Sequence, residues 1–186
     1  MAGSLHGGLK MNFRKTAAAV LAAALAVGAG SAQAANDAFV TCLKQDSVTV
    51  DGTIVDAAVA TPSLSTLVSL VQAAGLVDAL ATTQNITVFA PTNDAFDKIP
   101  DAVLGAIGGD TAALTEVLTY HVVPKHQDPR RWAGQQVRRT ALNDQMVFMG
   151  SKNGVPFVNN STVNCTSVTT DNGTVWIIDS VLLPQF

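Results

Sequence analysis

Thr87-Val88-Phe89-Ala90-Pro91-Thr92-Asn93-Asp94-Ala95-Phe96 is the stretch that decides how this chain is read. Asn85 to Ala90 is rich in β-branched and apolar residues and predicts a strand. Pro91 closes it, because proline has no amide hydrogen to offer a sheet. Thr92, Asn93 and Asp94 then bring short polar side chains suited to the bare amides of a helix start, with Thr92 capping a turn from Asn93 to Ile99. Phe89 and Phe96 bracket this turn and are expected in the core. Asp94 and Asp97 could pass for a paired carboxylate site, but the helix-start reading explains them with fewer assumptions.

Upstream the texture is helical. Thr61-Pro62 reads as a helix start, with Leu64, Leu67, Val68 and Val71 on one face. Gly75 interrupts it, and Leu76 to Leu80 resumes as a short helix. After the deciding stretch come two more helices. Asp101 to Ile107 stops at Gly108-Gly109, and Asp110 caps the next, whose face is Ala113, Leu114, Val117 and Leu118. From Tyr120 the pattern turns to strands. Tyr120 to Val123 ends at Pro124, with His121 on a buried strand. Gln145 to Met149 and Val155 to Val158 flank the turn Ser151-Lys152-Asn153-Gly154 as a hairpin. Ser161 to Val168 alternates, Asp171-Asn172-Gly173 reads as a tight turn using positive φ, and Thr174 to Ile178 and Val181 to Leu183 close the chain. Residues 125–141 read as a long loop.

The 186 residues are 48% hydrophobic and 13% charged, which suits one domain with a core and excludes a disordered polyelectrolyte. Met11 to Lys15 is a short basic head, Ala17 to Val27 an apolar run, and Ala32-Gln33-Ala34 a small-residue exit. Together they read as a secretory signal peptide over residues 1–34, cleaved after Ala34, with residues 1–10 an upstream extension. An eleven-residue run is too short to span a bilayer core of roughly 30 Å. Residues 35–186 keep eight of eleven basic and all fourteen acidic residues, a formal charge of −6. An acidic exported protein is a poor candidate for binding nucleic acid. Five of the eight basic residues are Lys125, Arg130, Arg131, Arg138 and Arg139, with Trp132 among them. This is either a solvated loop or a patch for an anionic partner.

Cys42 and Cys165 are the two cysteines. An even count in an exported chain favours one disulfide, with two buried thiols or a catalytic Cys beside His121 as alternatives. The G-x-S-x-G elbow, H-E-x-x-H and a phosphate-binding glycine loop are all absent from the sequence. His121 and His126, with Pro124 between them, have no nearby Cys or Glu to complete a zinc shell.

Three blocks then carry a resemblance: residues 87–96, Leu118-Thr119-Tyr120-His121-Val122-Val123-Pro124, and Asn172 to Pro184. Together they resemble the fasciclin (FAS1) domain in its bacterial secreted single-domain form, over about residues 53–184, with residues 35–52 an N-terminal segment carrying Cys42. The resemblance implies an α+β fold, a wedge of two packed β-sheets with a row of short helices along one side. The cysteines suggest the secreted mycobacterial-type members, which pair an early Cys with one just before the last hairpin. The resemblance also implies adhesion and surface or matrix association, with no general catalysis, cofactor or metal. In animal relatives the Tyr-His region is associated with receptor binding. That carry-over reaches Tyr120 and His121, while the companion Asp-Ile pair is absent near Asp171.

The expected function is a non-enzymatic, secreted or periplasmic interaction module. Its partner would be a cell-surface or matrix component such as acidic polysaccharide or anionic lipid headgroups, with no transmembrane segment in the mature chain. The alternative is a periplasmic binder of a small ligand or glycan, in a pocket between helices and sheet. Candidate contact residues are Tyr120, His121, Arg130, Arg131, Trp132, Arg138 and Arg139. His121 is also open to a core hydrogen-bonding role.

Overall fold

The first and last of those blocks meet side by side in a sheet. The structure, a computed structural model, describes residues 40–131, 136–140 and 143–185, with only the backbone for 136–139. The expected leader over residues 1–34, the expected cleavage site after Ala34 and Trp132 lie outside the described residues. Strand β1 is Val48–Thr49 and β2 is Ile86–Pro91. Next come β3 (Val122–Pro124), β4 (Gln136–Arg139) and β5 (Met146–Lys152). The last three are β6 (Val155–Val158), β7 (Ser161–Thr169) and β8 (Gly173–Ile178). Their order is β3-β2-β8-β7-β6-β5-β4, with β1 parallel to β7. The central pair β2–β8 is parallel, Ile86 opposite Gly173 and Pro91 opposite Ile178. A side chain on Gly173 could not exist here, since its Cβ would stand 2.3 Å from the Ile86 carbonyl oxygen.

Strand β7 joins two sheets. One half pairs with β8 and the other with β6, and the register slips between Val163 and Ser167. Sheet A holds β3, β2, β8, β7 and β1; sheet B holds β4, β5, β6 and the start of β7. The slip puts Cys165 in the irregular stretch, where it is disulfide-bonded to Cys42 across a sequence separation of 123.

The helices are α1 (Ile54–Val59), α2 (Ser65–Ala73), α3 (Val77–Thr82), α4 (Asn93–Phe96), α5 (Asp101–Gly109) and α6 (Thr111–Tyr120). They bury their apolar faces on sheet A, in a core that includes Leu67, Phe96, Leu114, Leu118, Ile86 and Val175. A second core lies between the sheets and contains Phe89, Tyr120, Met149, Val163, Trp176 and Leu182. Phe89 and Phe96, on either side of one turn, thus serve different cores. Sheet A is covered on both faces, which is why β2 is apolar at nearly every position.

Several local expectations change. Thr61 precedes a 3-10 turn at Pro62–Leu64 and makes no side-chain cap; its hydroxyl donates instead to the Ala57 carbonyl at 2.8 Å. Helix α1 has a capping box, Thr53 with Asp56, that the sequence reading passed over. Asp110 caps α6 as expected, accepting from the Ala112 amide at 2.8 Å. Tyr120 is the last residue of α6 and His121 its C-cap, so neither is in a strand. Residues 125–141 are not one loop: Pro129–Arg131 is a 3-10 turn, and β4 pairs with β5. Positive φ falls on Asn153 and Gly154 in the hairpin turn, not on Asn172 or Gly173. Val181 to Leu183 is not a strand.

Candidate functional site

Arg130 was grouped with the surface cations, and the fold takes it inside. It is 9% exposed, and its Nε and Nη2 bind the two oxygens of Asp128 at 2.9 and 3.0 Å. Its Nη1 donates to the carbonyls of Gln45 and Cys165. The guanidinium carbon also stands 5.0 Å from the centroid of the Trp176 ring, a cation–π distance. Burial pushes the Asp128 carboxyl up, but the hydrogen bonds and charge of Arg130, with Arg131 adding, outweigh it and hold it below the usual range. This cluster clamps the N-terminal segment and β7 to the segment after β3.

Tyr120 and His121 are also inside, 6% and 2% exposed. The Tyr120 hydroxyl donates to the Met146 carbonyl at 2.8 Å and accepts from Asn159 at 2.9 Å. His121 Nδ1 pairs with the Val117 carbonyl at 2.7 Å, and Nε2 accepts from the Leu182 amide at 2.9 Å. That pairing requires a neutral ring with its proton on Nδ1. Burial lowers its pKa to about 4, against a smaller upward effect of the Val117 carbonyl.

Arg131 is the exposed member of the Arg130–Arg131 pair, 80% accessible, with Nε 3.2 Å from Asp128. Beyond it β4 forms one end of the sheet path, Val137 opposite Phe148 and Arg139 opposite Met146. Strand β5 is apolar on both faces. Val147 and Met149 are fully buried, whereas Met146 and Phe148 are each 44% exposed. Val155 on β6 is also exposed, opposite the exposed Lys152. The outer face of sheet B is therefore an apolar strip next to the most cationic part of the chain. Arg131 is exposed beside Asp128, Arg130 does not join the strip, and the side chains of Arg138 and Arg139 lie outside what is described.

Asn172, expected to serve only a turn, is a buried tie between segments. It is 2% exposed, and its amide donates to the carbonyls of Leu80, Ala81 and Thr83 while its oxygen accepts from the Ile54 amide. It ties α1, the end of α3 and β8 together. Among the described residues, no group of three His, Cys, Asp or Glu is placed to hold a metal ion.

The three blocks of the resemblance thus form the adjoining strands β3, β2 and β8 with their flanks. The Fasciclin domain model matches residues 62–184. This chain belongs to the fasciclin domain family. Immunogenic protein MPB70 of Mycobacterium bovis is 38% identical over 168 residues, 85% of this chain and 82% of that one. The cell surface glycolipoprotein MPB83 of the same species is 38% identical over 128 residues, and the match spans 66% of this chain and 56% of MPB83. Protein sll1483 of Synechocystis is 37% identical over 134 residues, 71% of this chain and 73% of that one. Among solved structures, a FAS1 domain pair from the insect cell adhesion molecule Fasciclin I aligns with a TM-score of 0.53 at 20% identity. The match covers 64% of this chain and 45% of that one, and it shows the α+β FAS1 fold. Among the described residues no helix is long and apolar enough to cross a membrane.

Proposed function

We propose that this fasciclin-family protein is a non-enzymatic, adhesion-type module of the exported compartment or cell surface. Its contact is with an anionic component, acidic polysaccharide or lipid headgroups, through Arg131, strand β4 and the outer face of β5. The observation that carries this reading is the exposed pair Met146 and Phe148, in register with Arg139 and Val137 of the end strand. An apolar strip in register with a strand that carries two arginines suits a surface that is anionic and partly apolar, since arginine pairs with phosphate and carboxylate in bidentate fashion. The surface-protein and adhesion names of MPB83 and of the insect structure agree with it. The disulfide agrees with an oxidising compartment.

The test replaces Arg131, Arg138 and Arg139 by serine and leaves Arg130 in place to preserve the clamp. Wild type should be retained on phosphatidylglycerol vesicles and on an acidic polysaccharide, more weakly as salt rises. The triple variant should lose most of that retention and most of its salt dependence. Equal retention before and after the change would show that the segment is not the contact.

A further inference from the structure

The helix layer leaves a gap over sheet A. Val88 lies mid-strand in β2, between β3 and β8, and is only partly buried, while Ile86 and Ala90 on the same face are buried. Over it is a cleft of about 50 Å³. Its floor is Val88, Val122 and Val175, and its walls are built by α1, α2 and α3 with Ala58, Val68 and Leu80. The lining has no Phe, Met, Trp or Tyr; apart from Gln72 and His121 it is aliphatic.

The lining also restricts what could enter. The volume is several times what one water molecule needs, and a water there would want two or more polar partners. The polar lining side chains are Gln72 and His121. Both ring nitrogens of His121 are already paired, with Val117 and Leu182. Gln72 is exposed and stands at the rim. A sugar would find no aromatic face to stack on and no charged group. A small aliphatic cleft with one exposed amide in its lining fits the end of a hydrocarbon chain with a polar group outside.

We propose that this cleft takes the end of an unbranched hydrocarbon chain, from a free fatty acid or an acylated lipid, with Gln72 near the polar end. The cleft lies on the helix side of sheet A, whereas the anionic contact proposed above lies on the outer face of sheet B, so the two stand or fall separately.

The test uses the full chain labelled at Ile, Leu and Val methyl groups, titrated with lauric acid and with dodecylphosphocholine below their micelle concentrations. Shifts should concentrate at Val55, Val68 and Val88. Affinity should rise about fourfold per added methylene from octanoic to decanoic acid, then level off as the cleft fills. Ala58→Phe, which fills the cleft from one wall, should weaken binding by at least about tenfold in a folded protein. Binding of both amphiphiles supports recognition of the chain itself; binding of lauric acid alone supports the free acid as ligand. Unshifted cleft methyl groups, shifts confined to Val155 and Val158 of sheet B, or undiminished affinity in a folded Ala58→Phe would overturn the proposal. The wild-type methyl map decides the matter even if that variant does not fold.

Discussion

At the scale of single residues, the two groups with the strongest claim on stability are Arg130 and His121. Removing the Arg130 side chain leaves the carbonyls of Gln45 and Cys165 without that donor, and leaves Asp128, 10% exposed, with the Arg130 amide and Arg131 Nε alone of its four contacts to this pair. Breaking a buried pair from one side costs about 3–5 kcal/mol. Arg130→Ala should therefore lower the urea midpoint well below that of Arg131→Ala, which should change little because its side chain is 80% exposed. Equal effects would mean that the clamp contributes nothing. His121 has a folded pKa of about 4 against an ordinary 6.5. The unfolded chain thus binds more protons between these values, and stability falls as pH drops from about 6.5 to about 4, then levels off. The loss is about 3 kcal/mol across that window. Urea titrations over that pH range should show the slope in wild type and a flatter profile in His121→Gln. Arg130 illustrates why a charge in a sequence does not announce its place. Its type and its neighbour Asp128 were legible, but the carbonyls that hold its Nη1 come from Gln45 and Cys165, far away in the chain.

At the scale of elements, the parallel pairing of β2 with β8 organises sheet A. Gly173 lets the two strands approach, and a methyl group there would meet the Ile86 carbonyl oxygen at 2.3 Å. Gly173→Ala should cost about 3 kcal/mol, as overpacking against backbone that cannot yield. Thermal unfolding would show it as a drop in Tm, and an unchanged Tm would mean that the strands can separate freely. The deciding stretch was legible because strand former, proline and helix start follow one another locally, although the helix ends at Phe96 and Thr92, at its N-cap, makes no side-chain cap hydrogen bond. Strand β4 was not. Gln136-Val137-Arg138-Arg139 has one apolar residue in four, and an end strand paired on one side needs no second buried face. Helix α1 was passed over for a different reason. Its box is Thr53-x-x-Asp56, with aspartate where glutamate or glutamine is usual.

At the scale of the whole molecule, the Cys42–Cys165 disulfide and the Arg130 clamp hold the N-terminal segment and β1 against β7. Closing a loop of 123 residues stabilises by up to about 5 kcal/mol in the chain-entropy model. Alkylation without reduction should label no thiol in the intact exported protein. Replacing both cysteines by serine should lower Tm and speed amide exchange at Val50, which donates to the Thr169 carbonyl. Two labelled thiols in the native protein would contradict the pairing. The helix-then-strand order and the family were legible in the sequence, because they rest on local pattern and on three motifs each contiguous in the chain; the α+β class followed from that resemblance, and the cysteine pairing from it and from a count of two in an exported chain. The tertiary structure alone decided which cation is buried, that Phe89 and Phe96 serve separate cores, that β5 shows an apolar outer face, and that the helices leave a cleft over Val88. Those depend on which distant segments meet, and the burial of a side chain is set by its neighbours in space, not by its own chemistry.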